Sequence, residues 1–190
     1  YDNLYDALAR IGKTMDRDQD LLLLYLTMHG TEDHELAVQL QPMIEDWLTR
    51  EDLRDALDDA GIRNRVVVIS ACYSGGFVPA LRNPDTLLVT AARADRASFG
   101  CGTESEATYF GRAWVVDGLN RTTNFIPAYD IASTLIAKRE RKEGFEPSLP
   151  QIDIGARIGK RLQAWETELA PGKPVAYPYT AATVKPQPAK

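Results

Sequence analysis

Of 190 residues only two are cysteine, Cys72 and Cys101. So few exclude a small disulfide scaffold and leave the redox character of the compartment open. Basic charge is also in short supply. Lys plus Arg number 22 against 27 Asp plus Glu, a net charge of −5 and a pI near 5.1. This balance argues against a nucleic-acid or anionic-membrane surface. Long apolar runs are missing too: the longest, Leu21 to Leu26, falls far short of the roughly 20 residues that cross a bilayer, and no signal peptide opens the chain. The 13 Gly and 11 Pro are too few for a collagen or a low-complexity chain. What remains is 44% hydrophobic and 26% charged, the composition of an ordinary soluble domain with a sizeable core.

Hydrophobic spacing divides the chain into alternating elements. Leu4, Leu8, Ile11 and Met15 recur at three- and four-residue intervals, so the chain begins inside an amphipathic helix. It begins on Tyr1 rather than Met, and an upstream segment is expected. Leu21 to Thr27, bounded by the polar run Asp16 to Asp20, reads as a strand buried on both faces. Residues 31–48 are mixed, with weak alternation from Glu35 to Leu40 and an interruption at Pro42. Thr49 is an N-cap ahead of Glu51 and Asp52; the helix it opens carries Leu53, Ala56, Leu57 and Ala60 and closes on Gly61. Val66 to Ile69 and Thr86 to Thr90 are two further buried strands. Helices are predicted from about Glu106 to Leu119 and from Phe125 to Glu143, the latter ending in a solvated basic cluster. An edge strand at Gln151–Gly155 and a short helix to about Leu169 follow. We therefore expect one domain over residues 1–169 and a Pro-rich tail or linker over 170–190. Strands alternating with helices predict an α/β fold with a mostly parallel sheet, and such sheets work at the carboxyl ends of their strands.

Two strand ends carry reactive side chains. His29 and Gly30 follow the first buried strand; Cys72, with Gly75 and Gly76 just beyond, follows the second. If these strands are parallel neighbours, a thiol and an imidazole face one cleft. A cysteine with a histidine remote in sequence and near in space is the usual form of a thiol nucleophile. Glycine beside each lets substrate backbone approach and main-chain N–H groups point at an oxyanion. Cys101 and His34 lack this strand-end setting. A disulfide between Cys72 and Cys101 stays open at this level and would disable the nucleophile. Spacings of 29 residues between the cysteines and 5 between the histidines fit no standard zinc pattern, and no metal is expected. Ser74 as nucleophile lacks the Gly-x-Ser-x-Gly elbow.

Three blocks, Leu21 to Gly30, Val66 to Gly76, and Thr90 to Gly102 with its Ser98-Phe99-Gly100-Cys101 core, together resemble the C13 cysteine peptidases. That is the legumain and glycosylphosphatidylinositol-transamidase family of the caspase-like clan, and the likeness is to its bacterial members above all. Ser-Ala-Cys-Tyr-Ser-Gly stands with its cysteine 43 residues after His29, near the roughly 50 of caspases. The resemblance implies a caspase-like three-layer α/β/α sandwich and cleavage of peptide or protein substrates through an acyl-enzyme. It implies Cys72 as nucleophile, His29 as general acid/base, the N–H groups of Gly30 and Cys72 as oxyanion hole, and no cofactor. It places Ser98, Tyr73 and Arg112 at the substrate pocket. Tyr73 and Arg112 stand where legumains carry two acids, so Asp is expected to be accepted beside Asn at P1. A transamidase using the same acyl-enzyme and a silent peptide- or partner-binding module are the alternatives. Family members have a first strand upstream of Tyr1, and bacterial relatives are often attached to a membrane segment, which an upstream region would supply.

Overall fold

The computed structural model describes residues 2–40, 44–102 and 105–168. Pro42 and the Pro-rich tail lie outside the described residues. The elements run α1 (Asp2–Thr14), β1 (Leu22–Thr27), β2 (Glu35–Leu40), β3 (Ile44–Thr49), α2 (Arg50–Asp59) and β4 (Arg65–Ser70). A one-turn 3₁₀ helix at Ser74–Phe77 then leads into α3 (Val78–Leu81), β5 (Thr86–Thr90), α4 (Tyr109–Gly111), a π-helical continuation at Arg112–Gly118, α5 (Phe125–Glu143), β6 (Gln151–Ile154) and α6 (Ile158–Glu168).

The central sheet has the order β1-β4-β5-β6, with the first three parallel and β6 antiparallel at one edge. Alternation along β4 explains the three layers. Val67 and Ile69 point to one face, where Leu8, Leu36, Leu48, Leu53, Leu57 and Leu81 from α1, the β2–β3 hairpin, α2 and α3 cover them. Val66 and Val68 point to the other, against Phe110, Trp114, Phe125, Ala132 and Ile158. All four valines and isoleucines of this strand are fully buried, each worth about 1.5–3 kcal/mol relative to exposure. On the second face Tyr25, Phe110, Trp114, Phe125 and Trp165 form a chain of stacked rings with centroids 5.4–6.3 Å apart.

Most sequence expectations hold in place. Thr49 caps α2 with a reciprocal capping box to Asp52, and Gly61 takes a left-handed φ of 68°. Two differ. Residues 44–49 form a strand that pairs antiparallel with β2, a hairpin that the weak alternation of 31–48 concealed. Also, β1 is not buried on both faces: it is an edge strand of the described sheet, and Leu23 is 47% exposed. A run of leucines reads the same whether its outer side is covered or open.

Helix α1 crosses the end of α2 closely. A Cβ on Gly12 would stand 2.0 Å from the Ala60 carbonyl oxygen, a backbone atom that cannot yield without moving α2. Ala in place of a mid-helix Gly normally stabilises by about 0.5–1 kcal/mol; Gly12→Ala is expected to reverse that sign and lower the urea midpoint. A raised midpoint would mean that α1 packs elsewhere.

Candidate active site

The parallel register sets the site. Thr27 is opposite Ser70 in the β1–β4 ladder, so His29 and Cys72 occupy equivalent positions two residues past the matched strand ends. Met28 still donates its N–H to the Ser70 carbonyl at 3.4 Å, and the His29 carbonyl accepts from Ala37 N–H at 2.9 Å, which ties the chain after β1 to the hairpin. Gly30 lies so close to the nucleophile segment that a Cβ there would meet the Cys72 carbonyl oxygen at 2.1 Å. The His29 side chain is exposed. Among the described residues, no acceptor takes up the main-chain N–H of Gly30 or of Cys72.

The sulfur of Cys72 is half-buried and enclosed by Ser98. The Ser98 N–H donates to Sγ at 3.2 Å, its hydroxyl lies at 3.7 Å and its carbonyl oxygen at 3.4 Å. Neighbouring groups lower the Cys72 pKa to about 5: the Cys101 thiol contributes most, then, against the opposing effect of burial, Ser98 and the charge of His29. Conversely, the Cys72 thiolate and burial push the Cys101 thiol up.

The neighbouring residues are positioned by the turn after β4. Tyr73 has a left-handed φ of 55°, donates its N–H to the Arg96 carbonyl at 2.8 Å and its hydroxyl to Glu32 at 3.1 Å. It thereby joins the loop after β5 to the loop after β1. Gly75 and Gly76 serve loop packing: a Cβ on Gly75 would strike the backbone of residues 92–94, and one on Gly76 the His34 ring. His34 is a packed side chain whose Nδ1 is buried without a hydrogen-bond partner among the described residues. Ser74 is fully buried, and its Oγ accepts the Ala92 N–H at 3.2 Å, which leaves it a structural role.

Beside Cys101 a groove of about 480 Å³ opens between the end of β1 and the loop after β5. Its walls include Tyr25, Thr27, Glu106, Thr108, Gly111 and Val115. Burial raises the pKa of the Tyr25 hydroxyl, against the opposing influence of the Ser70, Thr108 and Thr27 side chains, and the Ser70 and Thr108 hydroxyls lie 3.0 Å apart. The π-helical segment presents Val115 and Val116 to this groove, in keeping with the frequent use of such segments at functional sites. Arg112 lines a different cleft of about 330 Å³, with Tyr109, Asp117, Ile136 and Arg139. The structure thus brings Cys72, Ser98, Gly30 and Tyr73 together at one sheet end and turns Arg112 toward α5. Sequence spacing missed Cys101; its only signal was the glycine on either side within the block that holds Ser98.

One mostly parallel sheet covered on both faces and a thiol presented at the carboxyl ends of its parallel strands define a caspase-like α/β protein. The model of the Peptidase C13 family matches residues 6–160, and the chain belongs to that family of cysteine peptidases. Caspase-1 from Spodoptera frugiperda has a similar structure, with a TM-score of 0.54 and 14% identity over 81% of this chain and 67% of that one; at such identity the likeness concerns the fold. No curated protein matches the chain. No helix among the described residues is long and apolar enough to cross a membrane.

A thiol with a pKa of about 5 is ionised throughout the neutral range. Iodoacetamide should therefore alkylate Cys72 with a rate that climbs through about pH 5 and is level by pH 7, while Cys101 remains unlabelled. In Cys72→Ala the anion that suppresses Cys101 ionisation is gone, and Cys101 should become reactive in mildly alkaline buffer. Peptide mapping by mass spectrometry reads both; equal labelling of the two cysteines in the unmodified protein would refute this electrostatic account.

Proposed function

We propose that the protein is a cysteine endopeptidase in which Cys72 attacks the scissile carbonyl and His29 protonates the leaving amine. The observation that carries this reading is the Cys72 sulfur, to which the Ser98 N–H donates at 3.2 Å, set two residues past β4 beside β1, whose end leads to His29. Attack produces a tetrahedral oxyanion. The free N–H groups of Gly30 and Cys72 are available to receive it, and donors of this kind are commonly worth roughly 3 kcal/mol of barrier each. Collapse expels the amine, which takes its proton from His29, and leaves a thioester on Cys72. Water activated by the then neutral imidazole hydrolyses it; an amine acceptor at that step would give transamidation from the same intermediate.

The groove lined by Cys101 is the place for the P1 side chain on this reading. Its hydroxyl-rich wall of Tyr25, Thr27 and Thr108 suits a polar amide. Among its described lining residues Glu106 is the one charged group. A carboxylate there favours neutral Asn over Asp at P1, so the two legumain acids missing at Tyr73 and Arg112 do not make the pocket welcoming to Asp.

Cleavage of a mixed-sequence peptide library, with every new terminus identified by mass spectrometry, tests the proposal. Cuts should follow Asn in preference to Asp, and both Cys72→Ala and His29→Ala should lose activity by on the order of 10³-fold or more. Cleavage that survives in folded Cys72→Ala would overturn the nucleophile. A folded protein that cuts nothing, in this chain and in one extended upstream, would favour a silent peptide-binding module.

A further inference from the structure

We propose that Glu140, buried within α5, is a positioning residue for the nucleophile, acting through the loop between α5 and β6 on the loop that meets Cys72. This rests on the reading of Cys72 as the nucleophile that the peptidase proposal also uses. Glu140 is 1% exposed, and a carboxylate is costly to bury unless a donor meets it. Among the described residues the donor that reaches its side chain is the Ser148 N–H, at 3.2 Å. Its main-chain carbonyl accepts the N–H groups of Gly144 and, at 2.9 Å, Phe145, which ends the helix on a left-handed Gly144 with a φ of 74°. One residue therefore holds the loop both where it leaves α5 and where it approaches β6. Ser148 is itself 1% exposed, so without the carboxylate its N–H would be buried and unpaired.

From Ser148 the hydrogen bonds run on to the nucleophile segment. The Ser148 carbonyl accepts the Arg93 N–H at 2.9 Å, the Arg93 carbonyl accepts the Arg96 N–H at 3.1 Å, and the Arg96 carbonyl accepts the Tyr73 N–H at 2.8 Å. Tyr73 is the residue after Cys72, and two residues beyond Arg96 the Ser98 N–H donates to the Cys72 sulfur at 3.2 Å. The loop after β5 thus meets the nucleophile segment at two points, and its own path is tied at Arg93 to the loop that Glu140 holds. Two side-chain contacts join the same pair of loops: Glu146 pairs with Arg96 at 3.0 Å, and the Phe145 ring stacks on Phe99 with centroids 4.5 Å apart. Glu146 and Phe145 are exposed, and an ion pair in water holds little. The buried link is Glu140. Catalytic geometry tolerates little slack, since a misplacement of about 1 Å can cost roughly 10²-fold in rate, so a side chain that never touches substrate sets how well the sulfur is aimed.

The test compares Glu140→Leu, which removes the acceptor, with Glu140→Gln, whose amide oxygen still accepts the Ser148 N–H, and with Ile158→Val, which thins the core on the α5 face of the sheet and leaves the chain of hydrogen bonds alone. In Glu140→Leu the pH midpoint of Cys72 alkylation by iodoacetamide should rise by about one unit, because the Ser98 donor no longer holds the sulfur. For peptide cleavage kcat should fall roughly tenfold or more with KM within about twofold. Glu140→Gln should restore both and Ile158→Val should leave both unchanged, whatever the three do to the urea midpoint. A folded Glu140→Leu with the original midpoint and kcat would overturn the proposal, as would equal losses in Glu140→Leu and Glu140→Gln. The unmodified protein gives a test that needs no variant to fold: the N–H groups of Ser148, Arg93, Arg96 and Tyr73 should exchange with deuterium at least roughly tenfold more slowly than that of Glu146 in the same loop. Exchange at Ser148 as fast as at Glu146 would also overturn it. Failure of the peptidase reading looks different: a midpoint that moves in a protein that cuts no peptide keeps the positioning role and rejects the protease, and cleavage that is unaltered in Glu140→Leu does the reverse.

Discussion

The site depends on one constraint, the parallel register of β1 against β4. Because Thr27 lies opposite Ser70, the residues two beyond each strand end arrive side by side. A slip of one residue would turn every β1 side chain to the other layer, taking Leu22 and Leu26 out of the core they share with Leu53, Leu57 and Val67. The packing that fixes the fold therefore also fixes which residues meet at its edge. Gly30 completes the arrangement, since only a residue without a Cβ allows the chain after β1 to lie on the Cys72 carbonyl.

A second set of contacts joins three loops around that strand end. The Tyr73 backbone is bound to the Arg96 carbonyl and its hydroxyl to Glu32; Gly76 receives the His34 ring and Gly75 the backbone of 92–94. Each loop touches the turn that presents Cys72. The left-handed conformation at Tyr73 is uncommon for a bulky aromatic residue and costs of order 1–3 kcal/mol. It is held by contacts from both neighbouring loops.

Much of this was legible from residues alone where local chemistry and pattern agree. Val66 to Ile69 could only be a buried strand, and Thr49 with Asp52 and Gly61 marked both ends of α2. The strand-end placement of His29 and Cys72 followed from a fold class in which loops at the carboxyl ends do the work. The rest was hidden for physical reasons. The β2–β3 hairpin carries polar and charged residues, including Glu35, Glu45 and Asp46, so its alternation is faint. Cys101 sits on a loop whose path depends on long-range bonds from Tyr109 and Arg96, and no spacing rule reports which sulfur such a loop approaches. Arg112 is matched to the pocket by its order in the chain, yet it lines a separate cleft with Asp117 and Arg139.

The source of the thiolate bears on how labour is divided at the proposed site. In a paired dyad the imidazolium makes the thiolate and also donates the proton, so deprotonating the imidazole costs both functions at once. Here the largest stabilisation of the anion comes from the Cys101 thiol and the Ser98 donors, and the charge of His29 contributes least. The anion at Cys72 thus draws on its neighbours in the loop after β5 as well as on the histidine. On the proposed reading His29, exposed at the end of β1, is left to its second task, giving a proton to the departing amine, and it does so from the side where substrate enters.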